Sequence, residues 1–259
     1  MRTIAVIPAR FRSNRLPGKP LADIHGKTLI EHVYQRASRA GRVGRVLVAT
    51  DDERIFDAVT DFGGEVVMTS AEHPSGSDRI AEAVADIDVE LVVNVQCDEP
   101  LIAPQAIDEA VQLAEQTQKV AQESAPGAII TLKSAIVDRQ TLLDRNAVKV
   151  VTDSNGFALY FSRSAIPVAP VPVDGDDELP PNLYYKHIGL YVYPKAVLTE
   201  LTRIAPSPLE LAERLEQLRA LENGIRIRLA ETEHDSLGVD TEEDLEAVRK
   251  LLARRATVH

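Results

Sequence analysis

Pro8 to Pro20 (PARFRSNRLPGKP) carries Arg10, Arg12, Arg15 and Lys19 and no acid. Four cations on a loop punctuated by Pro and Gly suit a polyanion. Guanidinium and ammonium groups pair with phosphate oxygens, Ser13 adds a hydroxyl donor, and Gly18 allows the backbone close to a ligand. A solvated basic loop has the same composition. Position favours the polyphosphate cradle, because the loop follows an expected parallel strand and leads towards a helix N-terminus. In such sheets ligands bind beyond the carboxyl ends of the strands.

Gln96-Cys97-Asp98-Glu99-Pro100 ends the fourth expected strand and faces the same edge. Carboxylates opposite a basic loop are the donor set of an oxygen-ligated Mg2+ shared with phosphates, although two acids at a strand end are commonplace. Val239-Asp240-Thr241 precedes the last expected helix. Either Asp240 or Thr241 caps that helix, or Asp240 gives a second carboxylate to the metal, and the spacing allows both. Other chemistries lack their residues. There is no Gly-x-Gly-x-x-Gly or Gly-x-Ser-x-Gly, the six histidines show no metal-type pairing, and the one cysteine, Cys97, excludes an internal disulfide. His25-Gly26-Lys27-Thr28 mimics the end of a P-loop, but Leu21 stands where the first Gly is required.

The elements that must position these residues follow from periodicity. Residues 3–7 read as a buried strand stopped by Pro8, then come a helix over 28–41, a strand over 45–50, a helix over 52–62 and a strand over 65–70. A helix over 77–87 and a strand over 91–96 complete an alternation that implies a mainly parallel sheet covered by helices on both faces. The second half differs: a helix over 104–118, strands over 128–136, 147–153, 157–163 and 184–193, and a hairpin at Asn155-Gly156, both of which accept positive φ. Residues 166–182, with five prolines and four acids, read as an exposed loop or arm. Ser207-Pro208-Leu209-Glu210 is a capping box opening one helix to about Glu222, followed by a strand over 225–230 and a helix from Thr241 to about Arg255. The whole, 1–259, reads as one α/β domain with an antiparallel subregion.

Composition bounds the partners. The chain has a formal net charge of −11, yet residues 1–54 hold 11 Lys/Arg against five acids. That is +6 on the first 54 residues and −17 on the remaining 205. An acidic protein with one basic segment is a poor nucleic-acid binder and suits a small anion. No apolar run nears the roughly 20 residues needed to span a bilayer, and the N-terminus lacks a signal-peptide pattern, so a soluble, cytoplasmic protein with no membrane partner is expected.

Taken in order, IPARFRSNRLPGKPL (7–21), HPSGSDR (73–79), VNVQCDEPLI (93–102), NAVKVV (146–151), ALYFSRSAIP (158–167), HIGLYVY (187–193), SPLE with LEQLR (207–219) and GVDTEEDL (238–245) resemble the 3-deoxy-manno-octulosonate cytidylyltransferase family, the CMP-Kdo synthetases. The resemblance covers nearly the whole chain. It implies a three-layer α/β/α, nucleotide-diphospho-sugar-transferase-like (Rossmann-like) fold, and a homodimer formed through about residues 131–193. The implied reaction activates Kdo for lipopolysaccharide biosynthesis: its anomeric hydroxyl attacks the α-phosphorus of CTP, and pyrophosphate leaves with no covalent enzyme intermediate.

The resemblance also assigns residues. Arg10, Ser13, Arg15 and Lys19 would hold the triphosphate, beside Pro8 and Ala9. Ser75, Gly76 and Arg79 would lie along cytosine and ribose, with Arg79 alternatively a structural ion-pair partner. Asp98 and Asp240 would ligate Mg2+ and, with Lys19, form the catalytic group. Gln96, Arg163, His187, Glu216 and Gln217 would contact Kdo. On their residue types alone, Arg163 also reads as a strand-end salt bridge, His187 as a satisfied strand residue, and Glu216 and Gln217 as helix surface. Glu210 belongs to its capping box. Cys97 stands where the family usually has Gly, which bears on nucleotide binding and rate. Two rival functions are a cytidylyltransferase for a related acidic sugar such as 8-amino-Kdo, and a non-catalytic nucleotide-binding protein disabled at Cys97.

Overall fold

In the computed structural model, which describes residues 1–12, 15–120, 127–168 and 179–256, the first strand, β1 (Thr3–Ala9), lies at the heart of the sheet. It pairs in parallel with β4 (Arg45–Thr50) on one side and β6 (Leu91–Asn94) on the other, and β4 pairs in parallel with β5 (Val66–Met68). Across β6 the direction reverses: β10 (Tyr185–Pro194) is antiparallel to both β6 and β7 (Ile129–Ala135). The edge strand β11 (Ile227–Glu231) is parallel to β7. The order is therefore β11-β7-β10-β6-β1-β4-β5, with the hairpin β8 (Lys149–Thr152) and β9 (Ala158–Ser162) joined to β10 through Lys149↔Lys186. The expectation of a mainly parallel sheet with an antiparallel subregion is met.

Alternation along β1 sends Ala5 and Ile7 to one face and Ile4 and Val6 to the other, all fully buried. Helices α1 (Leu29–Ala37), α4 (Pro104–Val120) and α9 (Glu242–Ala256) cover the first face with Val33, Ile107, Val111 and Val248. Helices α2 (Glu53–Asp61) and α3 (Gly76–Ala83) follow β4 and β5, and Ile80 of α3 covers the second face. There it is joined by Leu198 of α6 (Lys195–Leu201) and Leu218 of α8 (Gln217–Glu222). Fully burying such a side chain stabilises by roughly 1.5–3 kcal/mol, which is why these stripes fix the layers.

Several boundaries differ from the sequence expectation. β1 continues through Pro8, which pairs with Ala49. Pro8 shares the β6-facing side of Val6, and the β6 ladder has already ended at Val6↔Asn94, so the missing N–H costs nothing there. His25-Gly26, with φ 55 and 81, is simply the tight turn between β2 (Asp23–Ile24) and β3 (Lys27–Thr28). At the later hairpin only Gly156 has positive φ, and Gly156 N–H donates to Asp153 O at 3.1 Å. The helix expected from Pro208 to Glu222 breaks in two, α7 (Pro208–Glu213) and α8, because Arg214 adopts a left-handed φ of 56. A short helix, α5 (Arg139–Leu143), and α6 were not foreseen. Of the expected arm over 166–182, residues 169–178 lie outside the described residues, but Leu179 is buried with Ile136, Leu142 and Tyr184 rather than exposed.

Candidate active site

The carboxyl ends of β1, β4 and β6 lie along one edge of the sheet, and the sequence-expected site residues gather there. Pro8 near the end of β1, and Arg10 and Arg12 after it, line a cleft of about 220 Å3, closed by Lys19, Pro20, Gln96, Cys97 and Asp98. The 3-10 helix Lys19–Leu21 brings Lys19 into it. A second loop is tied to the same edge by backbone: Val239 N–H donates to Asp98 O at 2.8 Å, which carries Asp240 beside Asp98 although 142 positions separate them in the sequence. Lys19 Nζ then lies 2.9 Å from Asp98 Oδ2 and 3.2 Å from Asp240 Oδ1, and Arg15 reaches Asp240 Oδ2 at 2.9 Å. Burial works against the Lys19 ammonium, but the two carboxylates outweigh it and hold its pKa above the ordinary value.

The capping question at α9 is settled by geometry. Thr241 Oγ1 accepts from Asp244 N–H, and Asp244 Oδ2 accepts from the N–H groups of Asp240 and Thr241 at 3.0 and 2.9 Å. Thr241 and Asp244 therefore cap the helix, and the Asp240 carboxylate is left facing Lys19 and Arg15. Two carboxylates converging on one cation fit a divalent ion. Among the described residues no group of three or more His, Cys, Asp and Glu side chains could hold a metal. An ion here would take two protein carboxylates and complete its shell with phosphate and water, as Mg2+ does.

A larger cavity, about 360 Å3, opens on the other side of Asp98 and Gln96, which line both. Its wall includes Gly76, Asn94, Arg163, His187, Glu216 and Gln217. Arg163 follows β9, and its guanidinium donates to backbone carbonyls, Nε to Glu213 O at 2.9 Å and one terminal nitrogen to Arg145 O at 3.1 Å. The Glu213 carboxylate is occupied with the Ser162 hydroxyl and the Arg163 backbone N–H at 2.6 and 3.0 Å. The other terminal nitrogen of Arg163 reaches Arg214 O at 3.5 Å, so Arg163 caps α7 instead of closing a strand-end salt bridge, and its charge borders the cavity. Its own carbonyl is held by Lys149, a lysine with no exposed surface. The Lys149 ammonium donates to Arg163 O, Asp144 O and Ala147 O at 2.8, 2.7 and 2.5 Å.

His187 Nε2 is 2.9 Å from Thr131 Oγ1. The Thr131 hydroxyl donates to the backbone, with Leu190 O at 2.7 Å. Nε2 of His187 is therefore the donor to Thr131 and Nδ1 the acceptor. Burial pushes the His187 pKa down to about 3, so the ring is neutral. The turn at Arg214 points Glu216 and Gln217 inward: Gln217 is 8% exposed, and burial pushes the Glu216 pKa up against a hydrogen bond from Ser77. Neither is helix surface.

Other expected nucleotide residues are placed differently. Ser75 is the N-cap of α3, its Oγ accepting Asp78 N–H at 3.2 Å, and Gly76 packs on Pro8 and faces the larger cavity. Arg79 is 2% exposed and pairs with Asp51 at 3.1 Å and Thr69 at 2.5 Å, the structural ion-pair alternative. Cys97 is buried in the core cluster with ordinary φ, and burial pushes its thiol pKa up. Ala9 is buried at the end of β1. Ser13 lies outside the described residues.

Sequence reasoning missed Asn94, Ser77, Tyr191 and Tyr193, which also line the larger cavity. The signal was present: His187, Gly189, Tyr191 and Tyr193 sit at every second position of one strand and so share a face. Glu99 was passed over too; burial first, then neighbouring Asp98, pushes its pKa up to about 7.

Residues 4–227 match the family model described as Cytidylyltransferase. The chain is 52% identical over 258 residues to the 3-deoxy-manno-octulosonate cytidylyltransferase of Geobacter metallireducens, covering 98% of this chain and 99% of that protein. Among solved structures, that of CMP:2-keto-3-deoxy-manno-octonic acid synthetase complexed with CTP matches with a TM-score of 0.86 and 40% identity, over 98% of this chain and 100% of the other. A cytidylyltransferase from Leptospira borgpetersenii, 18% identical with a TM-score of 0.64 over 98% of this chain and 87% of that one, shares the fold.

Proposed function

Since the chain belongs to the 3-deoxy-manno-octulosonate cytidylyltransferase family, we propose that it transfers CMP from CTP to the anomeric hydroxyl of Kdo, releasing pyrophosphate. The observation that carries this reading is the place of Asp98, on the shared wall of a cationic cleft and a larger polar cavity. A triphosphate in the first and a sugar acid in the second meet at Asp98, where the attack on the α-phosphorus must occur. Arg10, Arg12, Arg15 and Lys19 attract the triphosphate, and Lys19 stabilises the pyrophosphate as charge builds on it. Arg163 offers N–H donors to the Kdo carboxylate, while neutral His187, Glu216 and Gln217 orient its hydroxyls. Asp98 and Asp240 are the residues that would hold Mg2+, which when bound neutralises phosphate charge and eases ionisation of the attacking hydroxyl.

The same reading makes the protein a cytoplasmic enzyme of lipopolysaccharide biosynthesis and a homodimer. Val137, Leu143 and Leu159 are 76%, 60% and 63% exposed in the subregion expected to pair with a second copy. Among the described residues no helix is long and apolar enough to cross a membrane. The test is pyrophosphate release from CTP, with and without Kdo and with Mg2+ or a chelator. Release that needs both Kdo and the metal supports the reading, and release that ignores Kdo sinks it. A preference for the 8-amino analogue over Kdo would reassign the sugar. Mass by light scattering should equal two chains.

A further inference from the structure

Lys19 and Arg15 of the basic loop are paired with Asp98 and Asp240, and the start of the loop, at Phe11, has an anchor of its own. Phe11, between Arg10 and Arg12, packs against the core cluster. Its carbonyl accepts the Gly18 N–H at 3.1 Å, so residues 11 and 18 close the neck of the loop. The ring also covers Gly18. Gly18 has φ 70, which favours glycine, and a Cβ at position 18 would press on the ring, 3.0 Å from Phe11 Cζ and 3.2 Å from Cε2.

Arg54 lies over the same ring, its guanidinium carbon 3.3 Å from the centroid. That guanidinium is not free to wander. Nε and a terminal nitrogen donate to the two oxygens of Asp52 at 2.9 and 2.7 Å, and Asp52 is the N-cap of α2. The neck of the loop is thereby fastened to the first turn of the helix that follows β4. Arg54 is neutralised by Asp52 and is absent from the residues that line the cleft.

We propose that Phe11 and Arg54 form a clasp that positions the triphosphate-binding loop, with Arg54 a positioning residue that does not touch the nucleotide. The inference rests on reading residues 10–19 as the triphosphate site. A loop already held at its neck has less conformational freedom to lose on binding CTP, so the clasp acts on nucleotide affinity.

The test is CTP affinity by titration calorimetry, measured on the full chain without any sugar. Arg54→Met and Phe11→Leu should each weaken CTP about two- to tenfold, and Phe11→Tyr, which keeps the aromatic face, should retain the unaltered chain's affinity. Because both groups act through one contact, the double variant should be no weaker than the weaker single. KM for Kdo should stay unchanged in all of them, whereas a general loosening of the fold would move both substrates. Unchanged CTP affinity in the single variants, additive losses in the double, or equal loss for Kdo would each overturn the clasp. CTP bound normally but never turned over with Kdo would refute the proposed function and leave the clasp standing. No CTP binding by the unaltered chain would refute both.

Discussion

Replacing Arg163 by Ala tests the sugar-acid pocket most directly, because the side chain does two things that can be read separately. Towards the cavity it offers a charged donor. Losing a charge-assisted contact to the Kdo carboxylate is worth roughly 1.5–3 kcal/mol, about a 10- to 150-fold rise in KM for Kdo. Towards the scaffold it satisfies Glu213 O and Arg145 O at 2.9 and 3.1 Å. With the longer contact to Arg214 O at 3.5 Å, three neutral acceptors lose a donor, a cost of about 1–3 kcal/mol together. In a protein of this size that is a fall of about 2–10 °C in Tm. KM for CTP should not move, since Arg163 borders the larger cavity and not the cationic cleft. Arg163→Lys should keep the charge, lose the fork that spans these carbonyls, and fall between the two. Steady-state kinetics with each substrate varied in turn, alongside thermal melts, gives all three numbers. Equal weakening of CTP and Kdo would refute the assignment. So would a lower Tm with KM for Kdo unchanged, which would leave Arg163 as no more than a cap for α7.

Asp98→Asn and Asp240→Asn should each lower turnover by at least about 100-fold, with the double variant little worse than either single, as for residues serving one ion. Tm should barely change in Asp240→Asn, since Thr241 and Asp244 hold the start of α9, and near-normal turnover there would remove Asp240 from the metal site. Cys97→Gly should leave KM for CTP within about twofold and cost about 1 kcal/mol in denaturant melts, because the backbone at Cys97 is unstrained and its side chain is core. Alkylation of Cys97 should be slow, since burial disfavours the thiolate, and slower still with CTP bound; rapid alkylation with full activity would place the thiol elsewhere. Stability should decline as pH falls below about 6.5. The unfolded chain then takes up a proton that His187, held down to about 3 in the folded protein, refuses. By pH 5 this linkage amounts to about 2 kcal/mol, and His187→Gln should flatten that part of the curve in denaturant titrations.

The parallel half was legible because each strand is a short apolar run and each helix a periodic one, so β1, β4 and β6 and the edge they share could be read directly. The basic loop and Asp98 followed, being adjacent to strand ends. Asp240 was harder, because a residue between a loop and a helix reads as a cap until tertiary contacts show which neighbour caps. The break at Arg214 was invisible: nothing in LELAERLEQLR forbids one continuous helix, and the left-handed residue is imposed where Arg163 closes α7. The pair between buried Arg79 and half-buried Asp51 shows the reverse case, a cation beside a binding motif whose partner lies 28 positions upstream.

The antiparallel strand β10 also sets a timetable for biosynthesis. β1, β4, β5 and β6 have all been made by Asn94 and can pair at once. β7 is complete at Ala135, yet its sheet neighbours among the described residues are β10, which begins at Tyr185, and β11, which comes later still. The wait is about 50 residues, or roughly 3–10 s at ordinary translation rates. During it Ile129, Ile130 and Leu132, all buried in the finished sheet, stand on a strand with two open edges. Such a strand invites pairing with another chain. Soluble yield should therefore be limited by this interval, rising in cells rich in chaperones and falling when many ribosomes carry the same message.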